Sequence, residues 1–93
     1  MVKIDAGKLI GRRALVTGAA GDLGRAICAR LSAEGARVAA ADIDTAKGKA
    51  LADSLGDAAM FVPLDVTRDD AWRAATDTVT KAWGGFDILV NNA

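Results

Sequence analysis

Gly18, Gly21 and Gly24 stand three residues apart in TGAAGDLG, Thr17 to Gly24, which directly follows the apolar run Ala14, Leu15, Val16 and directly precedes a helix-like segment that begins at Arg25. Residues of this type at this spacing can bind an anion. With no Cβ in the way, backbone N–H groups approach a pyrophosphate closely, and the helix that follows points its positive end at it. Tight turns that bind nothing share the spacing, so the flanks carry the inference: a strand before, an amphipathic helix after. No Gly-Lys-Ser/Thr follows the glycines, which excludes a P-loop and leaves a dinucleotide or a related adenosine compound.

The second residue with chemistry to offer is Asp42, which lies 18 positions past Gly24 at the end of a second strand-like run. A carboxylate there can accept both hydroxyls of an adenosine ribose. Two charge-assisted hydrogen bonds of ~1.5–3 kcal/mol each favour a free 2′-hydroxyl. A 2′-phosphate would set like charges a few ångströms apart, at roughly 4 kcal/mol per pair for an effective dielectric of about 20. Asp42 therefore predicts NAD over NADP. Two other readings stay open at this level: a helix cap shared with Asp44, and half of a metal site that has no third ligand in view.

Candidates for proton transfer or nucleophilic attack are scarce. The chain has no histidine and no tyrosine, and its single cysteine, Cys28, falls on the first helix away from the strand ends. Ser32 and Ser54 occupy helix positions with no base beside them in the sequence. Asp69 and Asp70 open a helix, where they complement its dipole. Trp72 and Trp83 are 11 residues apart on one helical stripe, which fits packing against a sheet better than stacking on a base.

The 93 residues contain 12 basic and 12 acidic side chains, and 52% are apolar. One domain is the most such a length allows, and it buries only ~60–70% of its unfolded surface. No Lys/Arg run exceeds Arg12–Arg13, so neither nucleic acid nor an anionic membrane is an expected partner. One cysteine permits no internal disulfide. No uncharged stretch approaches the ~20 residues of a membrane span, and MVKIDAGKLIGRR has no apolar core of signal-peptide length. The expectation is a cytoplasmic protein.

These residues need strands and helices to hold them, and the two alternate along the chain. The first strand is Arg13–Thr17, and the helix after the glycines puts Leu23, Ile27 and Leu31 on one stripe before Gly35 ends it. ARVAAAD is the second strand. Asp44 caps a second helix that buries Ala46, Ala50, Leu51 and Leu55 and stops at Gly56. AMFVPLDV is the third strand, with Pro63 near its end or toward the sheet edge. TRDD, Thr67 to Asp70, reads as a capping-box variant opening a helix that turns Trp72, Ala75, Val79 and Trp83 toward the sheet, with Gly84 and Gly85 closing it. FDILVNNA ends the chain, and its run Ile88, Leu89, Val90 reads as a strand covered on both faces. The fold expected is α/β: the N-terminal βαβαβαβ portion of a Rossmann-like doubly wound parallel sheet with strand order 3-2-1-4, forming one segment over residues 1–93.

TGAAGDLG, AADID, LDVT and DILVNNA together resemble the short-chain dehydrogenase/reductase family from Leu9 to Ala93. They are similar, in order, to its Thr-Gly-x-x-x-Gly-x-Gly turn, its second-strand acid, its adenine-contact segment and its Asn-Asn-Ala-Gly segment. At the turn Asp22 stands where the family's middle glycine falls, and Gly21 comes one residue early, as in the family's extended branch; LDVT and NNA point to the classical branch. The resemblance implies that Gly18, Gly21, Gly24 and the backbone around Asp22 and Leu23 face the pyrophosphate. It further implies Asp42 on the ribose, Ile43 beside the adenine, and Asp65 and Val66 against the adenine ring through a side-chain acceptor and a backbone group. Asn92 and Ala93 would line the central portion of the cofactor while Asn91 braces the fourth strand.

The family's Tyr-x-x-x-Lys pair and serine lie downstream of Asn-Asn-Ala-Gly, and this sequence halts one residue before that segment's glycine. The expectation is therefore the cofactor-binding part of an NAD-dependent oxidoreductase acting on an alcohol or ketone, inactive by itself, with no catalytic residue and no metal ligand among these residues. The alternative is a stand-alone nucleotide-binding or assembling half-domain. Its fourth strand would offer an apolar unpaired edge, so a homo-oligomer is expected.

Overall fold

Strand β1 (Arg13–Thr17) sends Leu15 to one side of a sheet and Val16 to the other, and both are fully buried. Strand β2 (Arg37–Asp42) continues this alternation with Ala39 and Ala41 on the face of Leu15, and Val38 and Ala40 on the face of Val16. A period of two with both faces covered is why these strands read as unbroken apolar runs. The computed structural model describes residues 7–93; residues 1–6, the first part of the segment read above for a leader, lie outside the described residues.

The remaining elements are helix α1 (Asp22–Ala33), helix α2 (Thr45–Leu55), strand β3 (Ala59–Pro63), helix α3 (Asp69–Trp83) and strand β4 (Ile88–Val90). All strand pairs are parallel and the sheet order is β3-β2-β1-β4, as the alternation and right-handed crossovers require. Cys28 of α1 and Leu51 of α2 share a core with Val16, Val38 and Ala40. Ala75 and Val79 of α3 pack on the other face with Leu15, Ala41 and Val62, flanked by Trp72 and Trp83. Pro63 ends β3, which is an edge strand. Among the described residues no helix is long and apolar enough to cross a membrane.

Four details depart from the sequence reading. Helix α1 begins at Asp22 rather than Arg25, and Leu23 is 65% exposed instead of sharing the buried stripe with Ile27 and Leu31. The buried position in that first turn is Gly24, drawn against the carbonyl of Gly18. In α2 the buried residues are Gly48, Leu51 and Ala52; the Phe61 ring lies against Gly48, and Ala50 lines an open groove of about 500 Å³ between α1 and α2. Thr67 does not cap α3, because its hydroxyl and its N–H both donate to Asp65 Oδ1, at 2.6 and 3.0 Å. Leu89 is 51% exposed, so β4 is not covered on both faces by the described residues.

Candidate functional site

The strands of a doubly wound sheet diverge at the point where the chain order reverses, and a ligand crevice opens outside their carboxyl ends. Here that point lies between β1 and β4. Thr17, the last residue of β1, is the one fully buried polar side chain among the described residues, and it joins the two strands. Its Oγ1 accepts from the N–H groups of Asn92 and Ala93 at 3.0 and 3.2 Å, and its proton faces Asn91 Oδ1 and the Val90 carbonyl at 3.2 and 3.4 Å. Asn92 Nδ2 also donates to the Gly18 carbonyl at 3.2 Å. Sequence reasoning gave Thr17 no role; its signal was a lone hydroxyl closing an apolar strand.

Gly18 turns the chain with φ +61°, a conformation that costs a residue with a Cβ, and a Cβ there would meet the backbone of Ala93 at 3.0 Å. The turn then uses up its own donors. Ala19 N–H donates to the Ala41 carbonyl at 3.1 Å, Ala20 N–H to Asp42 Oδ2 at 3.0 Å, and Gly21 N–H to the Gly18 carbonyl at 3.3 Å. Helix α1 starts without a side-chain cap, and its first intrahelical donor is Arg25 N–H, which reaches the Gly21 carbonyl at 2.9 Å. The N–H groups of Asp22, Leu23 and Gly24 are thus the opening donors of an uncapped helix, aligned with its dipole. Open donors of this kind can take an anion. Buried Gly24 lets the helix approach: a Cβ on it would overlap the Gly18 carbonyl oxygen.

Asp42 closes β2 half-buried and does not cap α2; Asp44 does so, accepting from Lys47 N–H at 3.0 Å. The Asp42 carboxylate instead spans two loops. Oδ2 takes Ala20 N–H and Oδ1 takes Asp44 N–H at 2.9 Å, which fixes the side chain beside the glycine turn. Two carboxylate oxygens offer about four acceptor positions, so two bonds leave room for a diol.

Beside it lies a cleft of about 200 Å³ lined by Gly18, Asp42, Ile43, Asp65, Val66 and Ala93, all singled out from the sequence, together with Leu64 and Thr67. The 74% exposure of Ile43 offers an apolar wall to a flat ligand. Thr67, through its hydroxyl first and its N–H second, holds the Asp65 carboxyl below its ordinary range and keeps it an acceptor at neutral pH. Trp72 Nε1 donates to the Val66 carbonyl at 3.0 Å, which ties this side of the cleft to α3. Gly21, Asp22, Leu23, Gly24 and Asn92 do not line this cleft; Gly21 and Asp22 instead line the groove of about 500 Å³ between α1 and α2. Burial pushes the Cys28 thiol up to about 11, so it is no thiolate nucleophile at neutral pH.

A family model described as short chain dehydrogenase matches residues 12–93. The chain belongs to the short-chain dehydrogenase family. It is 49% identical over 87 residues to the 3-alpha-(or 20-beta)-hydroxysteroid dehydrogenase of Mycobacterium tuberculosis, a match that covers 94% of this chain and 34% of that protein. It is 46% identical to the 3-hydroxyacyl-CoA dehydrogenase type-2 of Drosophila melanogaster, over 85% of this chain and 31% of that protein. The crystal structure of the 3-ketoacyl-(acyl-carrier-protein) reductase of Brucella melitensis complexed with NADH superposes with a TM-score of 0.90 at 37% identity, over 92% of this chain and 35% of that one. This short-chain dehydrogenase chain thus spans about a third of the length of the relatives it matches.

Proposed function

We propose that the chain is the NAD-binding part of a short-chain dehydrogenase that exchanges a hydride with a secondary alcohol or ketone. The observation that carries the reading is the bond from Ala20 N–H to Asp42 Oδ2, which makes one rigid unit of the turn and the carboxylate. In that unit the open donors of Asp22, Leu23 and Gly24 hold the diphosphate, and Asp42 holds the ribose diol. Asp65 and a backbone group of Val66 meet the adenine edge in the 200 Å³ cleft, against Ile43. Asn92 and Ala93 support the central portion of the dinucleotide through Thr17 and Gly18. The similarity to a reductase complexed with NADH supports the class of cofactor.

Once bound, the nicotinamide supplies the hydride chemistry. This chain binds and orients; it has no tyrosine and no histidine to manage the proton at a carbonyl oxygen. The Ser, Tyr and Lys of the reaction come from beyond these residues, and the 93 residues alone turn nothing over. Titrating the chain with NADH while recording amide NMR shifts tests the reading. Shifts confined to Gly18 to Gly24, Asp42 to Ile43, Asp65 to Val66 and Asn92 to Ala93 are expected; no saturable shift at millimolar NADH would overturn it.

A further inference from the structure

Strand β4 is the weakest support in the site, and its own side chains do not fix its register. It has three residues and, among the described residues, pairs only with Ala14, Leu15 and Val16 of β1. In a sheet a slip of one residue moves every side chain to the opposite face, and burial normally forbids it. Here Ile88, Leu89 and Val90 are all aliphatic, two half-buried and Leu89 51% exposed, so a slip would exchange like for like.

Side chains of β1 or their partners fasten both ends instead. At the upper end Thr17 takes Asn92 and Ala93. At the lower end Arg13 and Asp87 interlock: Arg13 N–H and Nε donate to Asp87 Oδ2 at 3.0 and 3.3 Å, and Arg13 Nη2 donates to Oδ1 at 3.0 Å. Asp87 N–H returns a bond to the Arg13 carbonyl at 2.8 Å, and Arg13 Nη1 donates to the Trp83 carbonyl, also at 2.8 Å, tying in the end of α3. This fork matches only one pairing of β4 with β1.

We infer that Arg13 and Asp87 form a remote positioning pair that sets the register of β4 and so delivers Asn92 and Ala93 to Gly18. The pair acts five residues away from Asn92, roughly 16 Å along an extended strand. This inference rests on the cofactor reading above for its ligand but not for its geometry.

The test uses the full chain with Asp87→Ala and the milder Asp87→Asn, titrated with NAD and, separately, with AMP. The adenosine half rests on Asp42, Ile43, Asp65 and Val66, which the pair does not hold, and meets the pair's reach only at Ala93. Asp87→Ala is expected to weaken NAD roughly 2- to 30-fold and AMP by clearly less. Equal losses for both ligands, or none for either, overturn the inference. Cross-strand amide NOEs from β4 to Leu15 report the register whether or not NAD binds. They should shift or broaden in the variant while those between Leu15 and Ala39 stay; an unchanged β4 pattern also overturns it. Failure of the wild-type chain to bind NAD would count against the cofactor reading alone. If Asp87→Ala does not fold, Asp87→Asn and Arg13→Lys give the same readouts.

Discussion

Thr17 Oγ1 accepts the backbone N–H of Asn92 at 3.0 Å across 75 residues of sequence, and with that bond the ends of β1 and β4 become one platform. The hydroxyl is fully buried and also accepts Ala93 N–H. Thr17→Val keeps the shape and removes the acceptor. The two donors are only part-buried, so leaving them unmet should cost at most about 1–3 kcal/mol in urea denaturation, and Thr17→Ser should recover most of the loss. A Val variant as stable as the wild type would show that the platform does not depend on the hydroxyl.

The glycines of the turn are not equivalent. Gly24→Ala places a Cβ into the Gly18 carbonyl and should destabilise by about 1–3 kcal/mol or more while abolishing NADH binding. Gly21→Ala meets only ordinary contact, 3.6 Å from the same oxygen, with φ −75°, and should stay within about 1 kcal/mol of the wild type. Thermal melts of the pair check the contrast, and the reverse ranking would contradict it.

Acid should erode the clamp at the foot of β4. Arg13, through its side-chain bonds first, holds the Asp87 carboxyl below its ordinary range. A depressed carboxylate contributes stability above its unfolded value, near 3.9, and loses it as pH falls through the native value. The stability gap between the wild type and Asp87→Asn should therefore be constant from about pH 8 to 5 and narrow below about pH 4. Denaturation series at several pH values measure it; a gap that widens on acidification contradicts the account.

The strand order could be read from the sequence, and so could the gathering of Gly18, Asp42, Ile43, Asp65, Val66 and Ala93 around one cleft, because both rest on local signals. Alternating elements with right-handed crossovers leave little freedom of topology, and Asp44 capped α2 as its position foretold. What was not legible depends on partners far along the chain. Leu23 fits the helical period, yet the approach of Gly24 to Gly18 decides which face of α1 turns inward. Thr67 has the right type for a cap, yet Asp65, two residues before it, holds its hydroxyl more closely. Thr17 looked like the end of a strand because the groups that need its oxygen lie at the end of β4.

The claim at the centre of this account is that Asp42 reads the ribose of NAD, and parallel calorimetric titrations with NAD and NADP address it most directly. Wild type should bind NAD at least tenfold more tightly than NADP, since one lost charge-assisted hydrogen bond of about 1.5–3 kcal/mol already corresponds to that ratio or more. In Asp42→Ala the NAD affinity should fall by at least tenfold, on the same scale, and the gap between the two cofactors should close. Equal affinity of the wild type for NAD and NADP, or an undiminished preference for NAD in Asp42→Ala, would contradict it.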